Sequence, residues 1–418
     1  MMARILLTNV NIFDGTGAPP YAGEVLVEGN RVRAVRKSGP QLDRTGAEIV
    51  DGGGATLMPG MVEAHAHLSW PSAFDRIINA KSLQPEEHLL ITARNARITL
   101  DCGFTSAYSA GSLGKRFEVA LRDEIDAGWL PGPRLKASSI ERAPAQSFGL
   151  PESHDGGHAR GPEAMRAYIR SCAEMGIDSV KLLLSGDDNF TPGGSQELTY
   201  DESEVQAAGE EARAQGLWLA CHAQAAEAVK LGLRHGFRVL YHCSYADEEA
   251  LDGLEAKKSD IFIAPAIGLA DAAINVGPSM GLPPSGVERG KRIMELQTRL
   301  VPELRRRGLR VLPGGDYGFP HNPIGRNARD LELFVRLFGY TPAEALMAAT
   351  KWGGEIMGMG DELGLVKEGY LADLLLVNGD PTQDVRILQD RDNLLMIMKD
   401  GAYHKAPSLA AARRLAAE

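Results

Sequence analysis

The spacing of apolar and polar positions changes character twice along the chain. Over the first sixty residues short β-type runs, Ile5–Val10, Glu24–Glu28 and Arg31–Val35, are separated by turns, and Gly29-Asn30 marks a hairpin between the last two. Asp51-Gly-Gly-Gly54 then breaks the chain before the apolar stretch Thr56–Val62. From there short apolar runs alternate with segments of helical period. The runs are Met61–His65, Phe104–Ser109, Arg134–Ser139, Ser179–Leu184, Leu217–Ala220, Arg238–His242, Ile261–Ala264 and Leu309–Leu312. Glu202–Gln215 and Ala225–Arg234 are two of the amphipathic segments between them. Eight such alternations over about 300 residues predict an α/β fold, a (β/α)8 TIM-type barrel. β-type runs return at Leu371–Val377 and Asn393–Lys399. The simplest division places residues 1–58 and 362–404 in one small β-sandwich domain, 59–361 in the barrel, and 405–418 in a C-terminal surface helix.

Charge and composition narrow the partners. The net charge is −10 and no Lys/Arg run exceeds Arg305–Arg307, so no basic stripe offers itself to nucleic acid. Apolar runs such as Leu394–Met398 are far too short to cross a membrane. The N-terminus lacks a sustained apolar core and a small-residue cleavage site, and Thr8 and Asn9 interrupt it early. Cys102, Cys172, Cys221 and Cys243 have no metal or disulfide spacing and read as reduced, buried thiols. The expectation is a cytoplasmic homo-oligomer acting on a small molecule.

The sharpest chemical signal is His65-Ala-His67, directly after an apolar strand. Residues i and i+2 of a strand share a face, so both imidazoles point the same way and suit a divalent metal such as Zn²⁺. Other candidates stand toward the ends of later predicted strands. Lys181 lies in an apolar strand where a bare ammonium is very costly. His222 ends Leu217–His222, His242 ends Val239–His242, and Asp316 follows Val311-Leu-Pro-Gly-Gly315. The C-terminal face of such barrels holds the active site.

His65-x-His67, Lys181, His222, His242 and Asp316, in this order, resemble the amidohydrolase superfamily of the binuclear, carboxylated-lysine type. The likeness extends from Leu57-Met-Pro-Gly-Met-Val-Glu-Ala-His-Ala-His67 through Thr341-Pro-Ala-Glu-Ala-Leu346 to Gly364–Val377. Within it the chain resembles the imidazolonepropionase-like branch, with its Xaa-Pro dipeptidases, ochratoxin amidases, and phenylurea and molinate hydrolases. That resemblance implies two divalent ions (Zn²⁺, with Mn²⁺ or Co²⁺ as alternatives) and a CO2-derived carbamate on Lys181. His65, His67, the carbamate and Asp316 would hold one ion; the same carbamate, His222 and His242 would hold the other. It also implies a metal-bridging hydroxide that attacks an amide, carbamate or urea C–N bond, with Asp316 as the catalytic proton carrier. The alternative within the branch is an Xaa-Pro dipeptidase or N-acyl amino acid hydrolase. A mononuclear deaminase fits less well, because Ala223-Gln224-Ala225 follows His222 where such enzymes carry a Glu. A non-catalytic relative fits less well too, since no ligand is lost.

Substrate-pocket candidates are His154 and His158 in the long segment Ile140–Arg160, Met280 in Gly268–Val287, and Tyr317, Phe319 and His321 after the aspartate. Arg326 or Arg329 is the candidate clamp for a carboxylate. With no other arginine in view, the expectation leans to a neutral substrate carrying an aromatic or bulky apolar group.

Overall fold

The computed structural model describes residues 4–37, 39–73, 83–144, 160–188 and 194–407. Two expectations, His154 with His158 and most of the C-terminal helix, lie outside them. The chain opens with β1 (Arg4–Ile12), β2 (Tyr21–Glu28), β3 (Arg31–Arg36), β4 (Glu48–Asp51) and β5 (Thr56–Pro59). β1 pairs antiparallel with β2 and parallel with β4 and β5 along successive parts of its length.

The barrel strands follow as β6 (Met61–Ala66), β7 (Phe104–Ser109), β8 (Arg134–Lys136), β9 (Ser179–Leu183), β10 (Trp218–Ala225), β11 (Val239–Tyr245) and β12 (Phe262–Ala264). They run parallel, each beside its predecessor, and β8 meets β9 through the bridges Ser138–Ser179 and Arg142–Leu182. The eighth position is a single bridge, Val311 against Ile263. It stays short because Pro313 cannot donate to a ladder and Gly314-Gly315 follows. Gly314 closes the circle: a Cβ there would lie 3.0 Å from the backbone nitrogen of His65.

Alternation along the strands sorts the core into two layers. Val62, Ala64, Tyr108, Ala220, Val239, Tyr241 and Ala264 cluster inside the barrel, whereas Val180, Leu182, Leu219, Cys221 and Leu240 pack toward the helices. Those helices form where the pattern places them. Glu202–Gln215 starts at Asp201, whose side chain accepts from Glu204 N while Glu204 reaches back to the Asp201 backbone. It stops at Gly216 in the left-handed conformation. The four cysteines are buried. Among the described residues no helix is long and apolar enough to cross a membrane.

The chain then returns as β13 (Leu374–Val377), β14 (Leu394–Lys399) and β15 (Ala402–Lys405), with β13 antiparallel to β5. The resulting order is β15-β14-β13-β5-β1-β2-β3, with β4 beside β1. The two units are tied at one seam. β5 runs into β6 through Gly60, whose missing Cβ leaves room for Thr105, and Gly60 N donates to Asp373 O (2.8 Å). Arg134 of β8 pairs with the buried Asp373 (2.7 Å) and with Asp400.

Candidate metal centre

Backbone irregularities aim the site residues. In β6 the pairing slips between Glu63 and Ala66, so strict alternation breaks there and His65 and His67 turn toward the cavity at the C-terminal mouth of the barrel. Glu63 braces the slip: its carboxylate accepts from His65 N (3.0 Å) and from Asn327 Nδ2 (2.6 Å). In β11 alternation directs Tyr241 inward, where its ring lies 4.0 Å from that of His65 and its hydroxyl donates to Ala64 O. Tyr241 therefore packs beneath the site. His242 next to it reaches the cavity only because it and Cys243 adopt φ of 71° and 56°. Gln297 holds this turn, donating to His242 O (2.7 Å) and Ser244 Oγ (3.1 Å) from a fully buried position. Asp316 is likewise left-handed, at φ 57°.

One cavity is lined by His65, His67, Lys181, His222, His242 and Asp316. Asp316 Oδ1 lies 3.1 Å from His67 Nε2 and 3.7 Å from His65 Nε2. The His222 and His242 rings are 4.4 Å apart, and His242 is 5.3 Å from His65. One donor atom each of His65, His242 and Asp316 falls within a 4.8 Å group that could hold a metal ion. Lys181, His222 and His242 stand inside their strands rather than at the last residue, because β9, β10 and β11 run on past them.

Electrostatics at the cavity suits a cation. Burial pushes His65 and His222 well below the ordinary imidazole value and His242 down to about 4, leaving neutral rings with lone pairs to offer. Burial acts on His67 too, but the carboxylates of Glu141 (3.2 Å) and Asp316 outweigh it and raise its value. Burial would raise Asp316; His65 and His67 instead hold it low, so it is anionic. Burial lowers Lys181, whose Nζ donates to Ala110 O (2.7 Å) and lies 4.3 Å from the Tyr241 ring centre. His65 Nδ1 is buried without a hydrogen-bond partner among the described residues. Neutral imidazoles, a carboxylate and a deprotonation-prone amine around one cavity are a donor set that fits divalent metal.

The substrate candidates divide. Phe319 lines the cavity beside Trp70, with ring centres 5.2 Å apart, and His321 is buried next to Phe319. Tyr317 does not: it is buried behind the site, its hydroxyl donating to Asp330 (2.8 Å), because the left-handed turn at Asp316 sends the two side chains apart. Met280 is 51% exposed on a short 3-10 turn, and Leu269, Ala270 and Ala273 of the preceding helix form the apolar wall instead. Arg326 is exposed outside the lining, and Arg329 is paired with Asp271 (3.3 Å) and Glu332. Neither is a clamp.

Five polar residues of the lining escape the sequence reading: Glu141, Asp187, Gln224, Ser244 and Arg289. Arg289 carried a signal. It stands one turn before Ile293 and two before Gln297, on the stripe that continues to Leu300, Val301 and Leu304 of helix Pro284–Arg306. An arginine on the inward face of a helix faces either a partner or a cavity.

The amidohydrolase family matches residues 56–403. The ochratoxinase of Aspergillus niger is 24% identical over 382 residues, covering 84% of this chain and 76% of that protein. A Xaa-Pro dipeptidase solved with bound methionine in its active site superposes with a TM-score of 0.83 at 22% identity, over 97% of this chain and all of the other. Molinate hydrolase does so with a TM-score of 0.78 at 18% identity, over 96% and 94%. A match over most of the chain, on a barrel whose mouth gathers four histidines, a lysine and an aspartate, shows that the chain belongs to the amidohydrolase family and is a hydrolase acting on C–N bonds.

Proposed function

We propose that the chain hydrolyses an amide-type C–N bond of a small substrate at a site holding two divalent ions, with Zn²⁺ ahead of Mn²⁺ and Co²⁺. The convergence of His65, His67, Lys181, His222, His242 and Asp316 on one cavity carries this reading. His65, His67, Asp316 and a carbamate on Lys181 would hold one ion, and the carbamate, His222 and His242 the other. When bound, the ions would polarise the scissile carbonyl and acidify the attacking water.

Lys181 supplies the shared ligand. Burial lowers the Lys181 pKa and so favours the free amine, which attacks CO2, forming an N–C bond and releasing a proton, and the product is an anion with two oxygens. Asp316 is the proton carrier: one carboxylate oxygen accepts the proton of water as its oxygen bonds to the acyl carbon. The same proton passes to the leaving nitrogen as the C–N bond breaks, so one acid and one amine leave. Trp70 and Phe319 supply an aromatic wall and Leu269 and Ile293 an aliphatic one, which hold an apolar group and exclude water.

The test is metal analysis together with intact mass. Two ions per chain, one added CO2, and recovery of the metal-free protein that is faster with bicarbonate are expected. One ion and no added CO2 would sink the binuclear reading.

A further inference from the structure

We infer that Arg289 is a substrate-binding residue that selects an anionic group, a carboxylate, on the molecule being cleaved. The inference deepens the reading of an amide hydrolase and rests on it for the identity of the cleaved bond alone.

Arg289 reaches the cavity from helix Pro284–Arg306, and its side chain keeps only 14% of its surface. Its nearest carboxylate is Asp187, at 3.8 Å from Nη1, which is beyond hydrogen-bond length. Among the described residues no group accepts a hydrogen bond from its five N–H donors. A guanidinium cannot escape this burial by losing its proton. The cavity therefore holds a largely desolvated cation whose planar fork makes no hydrogen bond among the described residues, and a carboxylate is the anion that matches such a fork in two parallel hydrogen bonds.

Asp187 does not fill that role. It is turned toward the strand side, where Gln224 Nε2 donates to it (3.0 Å) and His222 Nε2 lies 3.9 Å away. Its other oxygen faces Arg289 at 3.8 Å, so it offsets part of the Arg289 charge without accepting a hydrogen bond from it. One turn further along the helix, Ile293 continues the apolar wall. The fitting substrate thus has a carboxylate at one end, an apolar or aromatic side group, and the scissile amide over the metal ligands. An N-acyl amino acid has this form. Sequence reasoning leaned to a neutral substrate because it could name only Arg326 and Arg329; the helix stripe brings in a third arginine.

The experiment compares N-acetyl-L-phenylalanine with its neutral N-methylamide on the metal-loaded enzyme, by calorimetric binding and by acetate release. The wild type is expected to favour the carboxylate by roughly 10- to 100-fold, the range of one charge-assisted hydrogen-bonded contact. Arg289→Gln should abolish most of that ratio, and Arg289→Lys should restore part of it. Arg292→Gln, an arginine one position away from the stripe and over the Tyr245 ring, should leave the ratio as it was. Equal loss of both probes in Arg289→Gln would overturn the inference and make Arg289 a brace of the wall. No preference in the wild type would overturn it as well. A wild type that binds the carboxylate selectively yet releases no acetate would keep the anion site and remove the amide-hydrolase reading.

Discussion

Gln297→Met removes the clasp on the strained turn of β11 while nearly conserving volume. Gln297 is fully buried, and its amide donates to His242 O at 2.7 Å and to Ser244 Oγ at 3.1 Å. Leaving a buried carbonyl one donor short costs about 1–3 kcal/mol. The turn itself stores strain, since His242 and Cys243 are left-handed without being glycine, at about 1–2 kcal/mol each. Loss of the clasp is thus comparable with the strain it opposes. A shift of about 1.4 kcal/mol already moves the His242 ring out of line in a tenfold larger fraction of molecules. We expect Tm of the metal-free protein to fall by about 1–3 °C. We also expect affinity for the second metal ion to weaken about tenfold or more, with kcat falling at limiting metal and recovering at high metal. Thermal melts, metal titration and kcat at two free-metal concentrations read these three quantities. A variant that loses stability but binds both ions and turns over like the wild type would refute the assignment of Gln297 to positioning His242.

Lys181→Ala removes the shared ligand, so metal content should fall below two and activity should nearly vanish while the circular dichroism spectrum is kept; two retained ions with activity would contradict the carbamate. Asp316→Asn keeps an oxygen for the metal but cannot take a proton, so kcat should drop about 100-fold or more while metal content falls far less; a proportional loss of both would make Asp316 a ligand only. Glu63 is fully buried and burial pushes it up to about 8, against 4.5 when unfolded, so the folded protein holds a proton the unfolded chain has released. Stability of the metal-free protein should therefore fall as pH rises from about 4.5 to 8, by up to about 1.4 kcal/mol per pH unit for this one group. Glu118 and Asp330, both raised to about 7 by burial, act with the same sign, and Glu63→Gln should flatten the slope without abolishing it. An unchanged Tm-against-pH slope in that variant would exclude the Glu63 proton.

The barrel is legible because its signal is repetitive: apolar runs of strand length alternate with helical stretches, and the ligand candidates recur toward the ends of those runs. His65-x-His67 is legible because strand alternation alone places both rings on one face. What stays hidden depends on backbone exceptions and on distant packing. The slip in β6 and the left-handed turns at His242 and Asp316 are not encoded by glycines, so no residue type announces them. Tyr317 and Phe319 look equivalent in sequence, yet the turn at Asp316 sends one behind the site and the other into the cavity. Met280 fits a pocket by composition but sits on a 3-10 turn pointing to solvent. Arg289 is readable only once its helix is known to start at Pro284, because the stripe from 289 to 304 has meaning only as one continuous surface.

The small terminal sheet has a consequence for how the chain is made. β5 ends at Pro59, and its partner β13 begins at Leu374, about 315 residues later. At about 5–20 residues per second of synthesis, the open edge of β5 waits roughly 16–60 seconds for that partner. During this interval Thr56–Pro59, buried in the finished molecule, presents unpaired backbone groups and the apolar Leu57 and Met58. Nascent chains truncated before residue 374 should consequently be the species that aggregates or recruits chaperones, and supplying the missing strands in trans as a peptide should protect them.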